Sequence, residues 1–253
     1  MDKDFYLHYA SVEDQHWWFV GRRLIVNKVI RQLSLPKNPK ILEAGCGTGG
    51  NLSMLAQYGQ VSAMELDEMA CKIAIARQVT PVRLGSLPDR IPFTDEYDLI
   101  AILDVLEHLD DDLAALLALH SKLKPGGCLL ITVPAYQFLW SQHDEINHHK
   151  RRYVLRTLKQ AVKKAGFTVR YGTYFNSFLF PIIAGVRWVK NLLPLEPHKA
   201  SNSDLTLPPK PVNQFLSLLF ASERHLVGRV VFPFGVSILL VAQKRSGVEV
   251  YEC

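Results

Sequence analysis

The stretch Lys40-Ile41-Leu42-Glu43-Ala44-Gly45-Cys46-Gly47-Thr48-Gly49-Gly50 constrains this chain more than any other. A short apolar run ends on an acid, and a loop crowded with glycine follows at once. Asn51-Leu52-Ser53-Met54-Leu55-Ala56 then reads as the start of a helix. Glycine lets the backbone turn sharply and approach a ligand closely, because no Cβ is in the way. A nucleotide-like ligand can therefore lie over such a loop near the helix N-terminus.

The rest of the chain extends this unit. Leu24, Ile25, Val26, Val29, Ile30 and Leu33 recur at helical spacing between Arg22 and Leu33, until Pro36 and Pro39 break the pattern. Strands are expected at Lys40–Glu43, Val61–Glu65, Val82–Leu84, Tyr97–Leu103 and Cys128–Val133. Helices are expected at Leu52–Gln57, Met69–Arg77 and Asp112–Leu123, the last ended by Lys124-Pro125-Gly126-Gly127. A helix over Arg156–Ala165, closed by Gly166, precedes a sixth strand from Phe167. Val236–Ala242 reads as a final apolar strand. Strands alternating with helices imply a doubly wound α/β fold with a mostly parallel sheet. Phe175–Phe234 interrupts the plan with apolar, aromatic and proline-rich sequence, and its polar middle, Glu196–Pro211, reads as a loop. The 253 residues divide into an N-terminal helical cover (1–36), a core (37–174), a late insertion (175–234) and a final strand with its tail (235–253), all one domain.

Composition narrows the function. The four cysteines, Cys46, Cys71, Cys128 and Cys253, form no C-x-x-C pair, which argues against a zinc site or a disulfide framework. No metal is expected. A cytoplasmic setting is expected, because Met1-Asp2-Lys3-Asp4-Phe5 is too polar for a secretory signal. No apolar run approaches the ~20 residues of a membrane span. A net charge of +5 suits an anionic substrate or membrane surface. The basic stripe of a nucleic-acid reader is lacking.

Two kinds of site share the glycine-loop layout. Gly45, Gly47 and Gly50 fit the dinucleotide pattern G-x-G-x-x-G. Glu43 favours S-adenosyl-L-methionine instead, since a carboxylate there repels a pyrophosphate and attracts an ammonium and a sulfonium. Glu43-Ala44-Gly45-Cys46-Gly47-Thr48-Gly49 closely resembles the first motif of class I S-adenosylmethionine-dependent methyltransferases, which have a Rossmann-like fold. Asp104-Val105-Leu106-Glu107-His108-Leu109 resembles the motif after that family's fourth strand. His16-Trp17-Trp18-Phe19 and His149-Lys150-Arg151-Arg152-Tyr153 resemble a bacterial, type-11-like subgroup. This resemblance implies a seven-stranded sheet whose last strand runs antiparallel between the fifth and sixth.

It also implies roles for particular residues. Gly45, Cys46, Gly47 and Gly49 cradle the cofactor, and Glu43 meets its methionine end. Glu65, at the end of the second strand, accepts from both ribose hydroxyls, as acids do in related nucleotide folds. Leu66 and Leu87 border the adenine. Ser86 stands where the family usually has an acid, which weakens that contact. Asp104 and Val105 border the methionine, and Arg22 can meet its carboxylate. Trp17, Trp18 and Phe19 can equally be plain core packing.

For chemistry, Pro134-Ala135-Tyr136 leads into a polar segment from Trp140 to Tyr153. His149 is the leading base, with Asp144 as its orienter. Arg152 is read as an anion clamp, and Tyr136 and Tyr153 as acceptor contacts; a structural polar cluster is the competing reading. The expected reaction is O-methylation of a small molecule, with a sugar or lipid-linked acceptor in view. The insertion is either a lid or a peripheral contact with the inner face of a membrane. A nicotinamide oxidoreductase and a non-catalytic scaffold are the rivals.

Overall fold

Ile41 and Leu42 are neighbours in sequence yet belong to different cores, because side chains alternate across a strand. Ile41, Leu99, Ala101 and Leu103 pack with one buried cluster. Leu42, Ile100 and Ile102 pack with the other, on the opposite face of the same sheet. A strand covered on both faces must be largely apolar, which is why Tyr97–Leu103 is apolar but for Asp98 near its start.

The computed structural model describes residues 3–192 and 206–246. Its seven strands are β1 (Lys40–Ala44), β2 (Gln60–Glu65), β3 (Val82–Leu84), β4 (Tyr97–Leu103), β5 (Leu123–Pro134), β6 (Phe167–Phe175) and β7 (Ser237–Lys244). They lie in the order β3-β2-β1-β4-β5-β7-β6. The pairings from β3 across to β5 are parallel, and β7 is antiparallel to both β5 and β6. The wedge expected for the last strand is therefore present, from Cys128↔Gln243 to Pro134↔Ser237 on one side.

The helices are α1 (Lys3–Val12), α2 (Trp17–Ile30), α3 (Leu52–Leu55), α4 (Glu68–Ala76), α5 (Asp112–Lys122), α6 (Gln142–Ile146), α7 (Leu155–Lys164), α8 (Phe180–Leu192) and α9 (Lys210–Ser222). Helix α2 begins five residues earlier than its apolar spacing suggested. His16 caps it, its Nδ1 accepting from Trp18 N at 3.3 Å. Gly166, at φ +90°, closes α7 as expected.

Two readings need correcting. Lys124–Gly127 was read as ending the helix before a strand from Cys128, but it lies inside β5, which starts at Leu123. The β4–β5 ladder jumps from Tyr97↔Leu123 to Leu99↔Cys128, and that bulge takes up the extra residues. The second concerns Glu196–Pro211. Residues 196–205 lie outside the described residues, but α9 already starts at Lys210, with Pro211 in its first turn, where a missing N–H costs nothing.

The insertion ties the cover to the core. Trp18 stacks on Phe220 of α9 at 5.2 Å and on Phe175 at 6.4 Å. Gly21 lies against the Phe220 ring, where a Cβ would collide. Asn213 accepts from Trp17 N at 2.9 Å and donates to Gln15 O at 2.8 Å. Among the described residues, no helix is long and apolar enough to cross a membrane.

Candidate active site

Parallel strands deliver their carboxyl ends to one edge, which is where ligands bind in open α/β sheets. Here a cavity of about 610 Å³ opens across the ends of β2, β1, β4 and β5, beneath α1, α2 and α8. Three inter-strand steps of roughly 4.8 Å give it a floor about 14 Å long.

At the β1–β2 end, the glycine loop takes backbone conformations that side chains resist. Gly45, Gly47 and Gly49 have φ of +79°, +55° and +87°. A Cβ on Gly45 would lie 2.6 Å from Val105 Cγ2, whereas one on Gly47 would meet nothing within 4 Å. Gly45 is thus needed for close packing, and Gly47 leaves bare backbone beside open space. Glu65 lines the cavity and accepts from Gly47 N at 2.8 Å and Asp67 N at 3.0 Å. Each carboxylate oxygen keeps a second acceptor site. Asp67 instead caps α4, accepting from Met69 N and Ala70 N. Cys46, Leu66, Ser86 and Leu87 also line this end.

Glu43 sits beneath the loop, fully buried and outside the cavity lining. Asn51 Nδ2 donates to its Oε1 at 2.8 Å, while Oε2 is buried with no partner. Burial pushes its carboxyl up to about 8, the Asn51 hydrogen bond and Arg22 opposing it. Between pH 4.5 and 8 the folded chain therefore holds a proton that the unfolded chain has released, and stability falls as pH rises through that window. Burial raises Glu13, Glu65 and Glu107 in the same sense. Glu43→Gln keeps the acceptor for Asn51 and removes the charge. Urea unfolding at pH 5 and 8 is expected to show a loss of stability between the two pH values that is smaller by about 3 kcal/mol in the variant. An unchanged loss would show that Glu43 is ionised in the folded chain at both pH values.

Glu13 fastens the cover to the loop. It accepts from Thr48 Oγ1 and from Arg77, and a Cβ on Gly50 would run into its carboxylate. Arg22, from α2, is ion-paired to Asp104, and Thr132 Oγ1 donates to the same carboxylate at 3.1 Å. Asp104 has φ +56°, a conformation uncommon outside glycine. Arg22 Nε is buried without a partner. Arg22, Asp104 and Val105 all line the cavity.

At the β4–β5 end, Asp144 gathers three residues. His149 Nδ1 lies 2.8 Å from its Oδ1, Arg152 meets it through Nε at 2.7 Å and Nη2 at 2.9 Å, and Ser141 N donates at 2.8 Å. Burial opposes ionisation, but the His149 and Arg152 hydrogen bonds hold the Asp144 carboxyl well below the usual range. A carboxylate on Nδ1 makes Nε2 the lone-pair nitrogen of His149. His108 meets His149 edge-on at 4.6 Å. Burial, then His149, pushes His108 down to about 4.

The structure thus brings together Gly45, Cys46, Gly47, Glu65, Leu66, Ser86, Leu87, Asp104, Val105, Arg22, His149 and Arg152 around one cavity. Five other expected residues support it from behind. Glu43, expected at the methionine end of the cofactor, lies buried beneath the loop and outside the lining. Gly49 packs on Arg77 and Leu52. Asp144 is fully buried under His149. Tyr136 stacks on Tyr174 at 5.0 Å, and Tyr153 donates to Asp112 Oδ2 at 2.9 Å. Tyr6, Tyr9, Glu13, Glu107 and Asn147 line the cavity without having been singled out. Glu107 carried a signal through its place in the motif that follows β4.

A family model described as a methyltransferase domain matches residues 16–171. Trans-aconitate 2-methyltransferase of Deinococcus radiodurans is 29% identical over 164 residues, covering 63% of this chain and 60% of that protein. The ubiquinone biosynthesis O-methyltransferase of Idiomarina loihiensis is 33% identical over 97 residues, 35% of this chain and 39% of that one. The chain thus spans less than two thirds of the length of both relatives. The complex between the Haloferax volcanii Trm112 methyltransferase activator and a putative methyltransferase holds a similar fold. Its TM-score is 0.63 at 15% identity, covering 97% of this chain and 96% of that one.

Proposed function

The chain belongs to the methyltransferase domain family, and from that premise we propose that it methylates a hydroxyl oxygen on a small molecule, with S-adenosyl-L-methionine as donor. The residues fit this donor. Glu65 has acceptor sites to spare for two ribose hydroxyls, bare backbone at Gly47 faces open space, and Arg22 has an unpartnered buried Nε. When bound, the donor supplies an electrophilic methyl on a sulfonium, and the bond electrons return to sulfur as it leaves. The chain's own work is then alignment, exclusion of water and proton removal.

The observation that carries the hydroxyl assignment is the His149–Asp144 pair at 2.8 Å in the cavity wall. His149 takes the hydroxyl proton on Nε2. Asp144, kept ionised, holds the ring and stabilises the imidazolium. Arg152, locked on Asp144 and on Ala135 O at 3.0 Å, braces the pair. Trp17, Trp18, Ile182, Ile183 and Val186 supply the apolar wall that keeps water away.

The mouth favours an acceptor with an apolar tail, such as a lipid-linked sugar. Ile182, Val186 and Trp188 on α8 are exposed, as are Phe215 and Leu218 on α9. The same surface suits a peripheral contact with lipid. The relative from Idiomarina loihiensis, described as an O-methyltransferase of ubiquinone biosynthesis, agrees with oxygen as the acceptor atom.

Transfer of labelled methyl into a cell extract, with identification of the product, tests the reading. His149→Ala is expected to lower turnover by about 10²–10⁴-fold while S-adenosylhomocysteine affinity stays within about threefold. Full activity would remove His149 as the base. Tighter calorimetric binding of NADH than of S-adenosylhomocysteine would favour the oxidoreductase.

A further inference from the structure

Glu107 is fully buried, and among the described residues no other residue donates to either of its carboxylate oxygens. The charges around it are already matched. Arg22 is paired with Asp104, and Arg152 with Asp144. Lys150, next along the polar segment, meets Asp110 with its side chain and touches Glu107 only through its backbone N–H, which donates to the Glu107 carbonyl at 2.8 Å. A buried carboxylate without a donor or a cation is costly, so this arrangement suits a partner that arrives from outside.

Two imidazoles face the same place. One ligand atom from each of Glu107, His108 and His149 lies within 4.8 Å of the others. In a tetrahedral shell, oxygen and nitrogen ligands at about 2.1 Å from a metal stand about 3.4 Å apart. Closing the shell therefore takes movements of up to about one ångström for each side chain. The outer contacts suit metal ligands too. Asp144 on Nδ1 of His149 is the carboxylate that orients a metal-bound imidazole. His108 has a hydrogen bond with the Asn147 backbone, which fixes its ring in turn. None of the cysteines that argued against zinc takes part.

We propose that Glu107, His108 and His149 form a binding site for a divalent first-row cation, whose open positions face the cavity and receive the acceptor oxygen. Two imidazoles and one carboxylate on neighbouring sites form a set that Mn²⁺, Fe²⁺ or Zn²⁺ accepts with positions left for exogenous ligands. The part concerning the acceptor rests on the hydroxyl-methylation reading; the cation site itself does not. His149 Nε2 is the base while the site is free of metal and a ligand once it is loaded; in the loaded protein the cation would acidify the acceptor O–H, whose proton would pass to water.

The test uses the full chain, stripped with a chelator and dialysed, and titrated with Mn²⁺ alone. Free Mn²⁺ is read from its electron paramagnetic resonance signal, and Mn²⁺ has little affinity for the buried thiols. One Mn²⁺ per chain is expected, bound at least tenfold more weakly by Glu107→Gln and by His149→Ala. His120→Ala, on α5 and outside the cluster, should bind as the parent does. Glu107→Gln preserves side-chain volume, and S-adenosylhomocysteine calorimetry on each variant reports whether the donor site is intact. Parent protein that takes up no more Mn²⁺ than Glu107→Gln, or variants that keep the parent affinity, would overturn the site. Failure of the parent to bind S-adenosylhomocysteine would instead overturn the methyltransferase reading, whatever the Mn²⁺ result.

Discussion

Glu65→Ala is expected to weaken S-adenosylhomocysteine binding by about 100-fold. Hydrogen bonds to a charged group contribute about 1.5–3 kcal/mol each, and this carboxylate is read as accepting from two ribose hydroxyls. It also holds Gly47 N and Asp67 N, so its loss loosens the loop on which the ligand lies. Glu65→Gln keeps one oxygen acceptor and should lose less, about tenfold. Isothermal calorimetry measures both, and circular dichroism checks that the fold survives. An alanine variant that remains folded and binds within threefold of the parent would mean that the ligand does not reach the end of β2.

The second large effect concerns stability. Asp144→Ala should cost about 3–5 kcal/mol, because it leaves the Arg152 guanidinium buried with no countercharge. For a chain of this size that is a fall in Tm of roughly 10 °C. It also frees His149 from its orienter and removes the acceptor of Ser141 N at the start of α6. Removing both charges is expected to be milder. Asp144→Leu with Arg152→Met should be more stable than Asp144→Ala alone, since no unpaired charge remains. Chemical denaturation of the parent and the two variants gives the comparison. Equal losses in the single and double variants would show that packing, not charge, sets the cost.

Local signals made much of the sheet legible. Glycine crowding marked the turn after β1, and nearly continuous apolar runs marked β4 and the second half of β5. The final strand's place between β5 and β6 was available only through family resemblance, since periodicity carries no partner. What the sequence hid was pairing at long range. Nothing in Glu13 announces that it will grip Thr48 and Arg77, and nothing in Arg22 selects Asp104 over the ligand's carboxylate. Tyr136 and Tyr153 were placed at the right sheet edge, yet side-chain direction depends on neighbours such as Tyr174 and Asp112. Glu107 was visible within its motif, but its want of a donor shows only once the surrounding arginines have chosen their partners.

The wedge made by β7 has a consequence for how the molecule assembles. β5 and β6 have no ladder with each other; each is zipped to a strand encoded some sixty or more residues later. While the polypeptide is still emerging from the ribosome, both present open rows of amides and carbonyls along apolar backbone. Such edges invite neighbouring chains. Synthesis of Ser237–Lys244 is thus the moment at which this half of the molecule stops being adhesive.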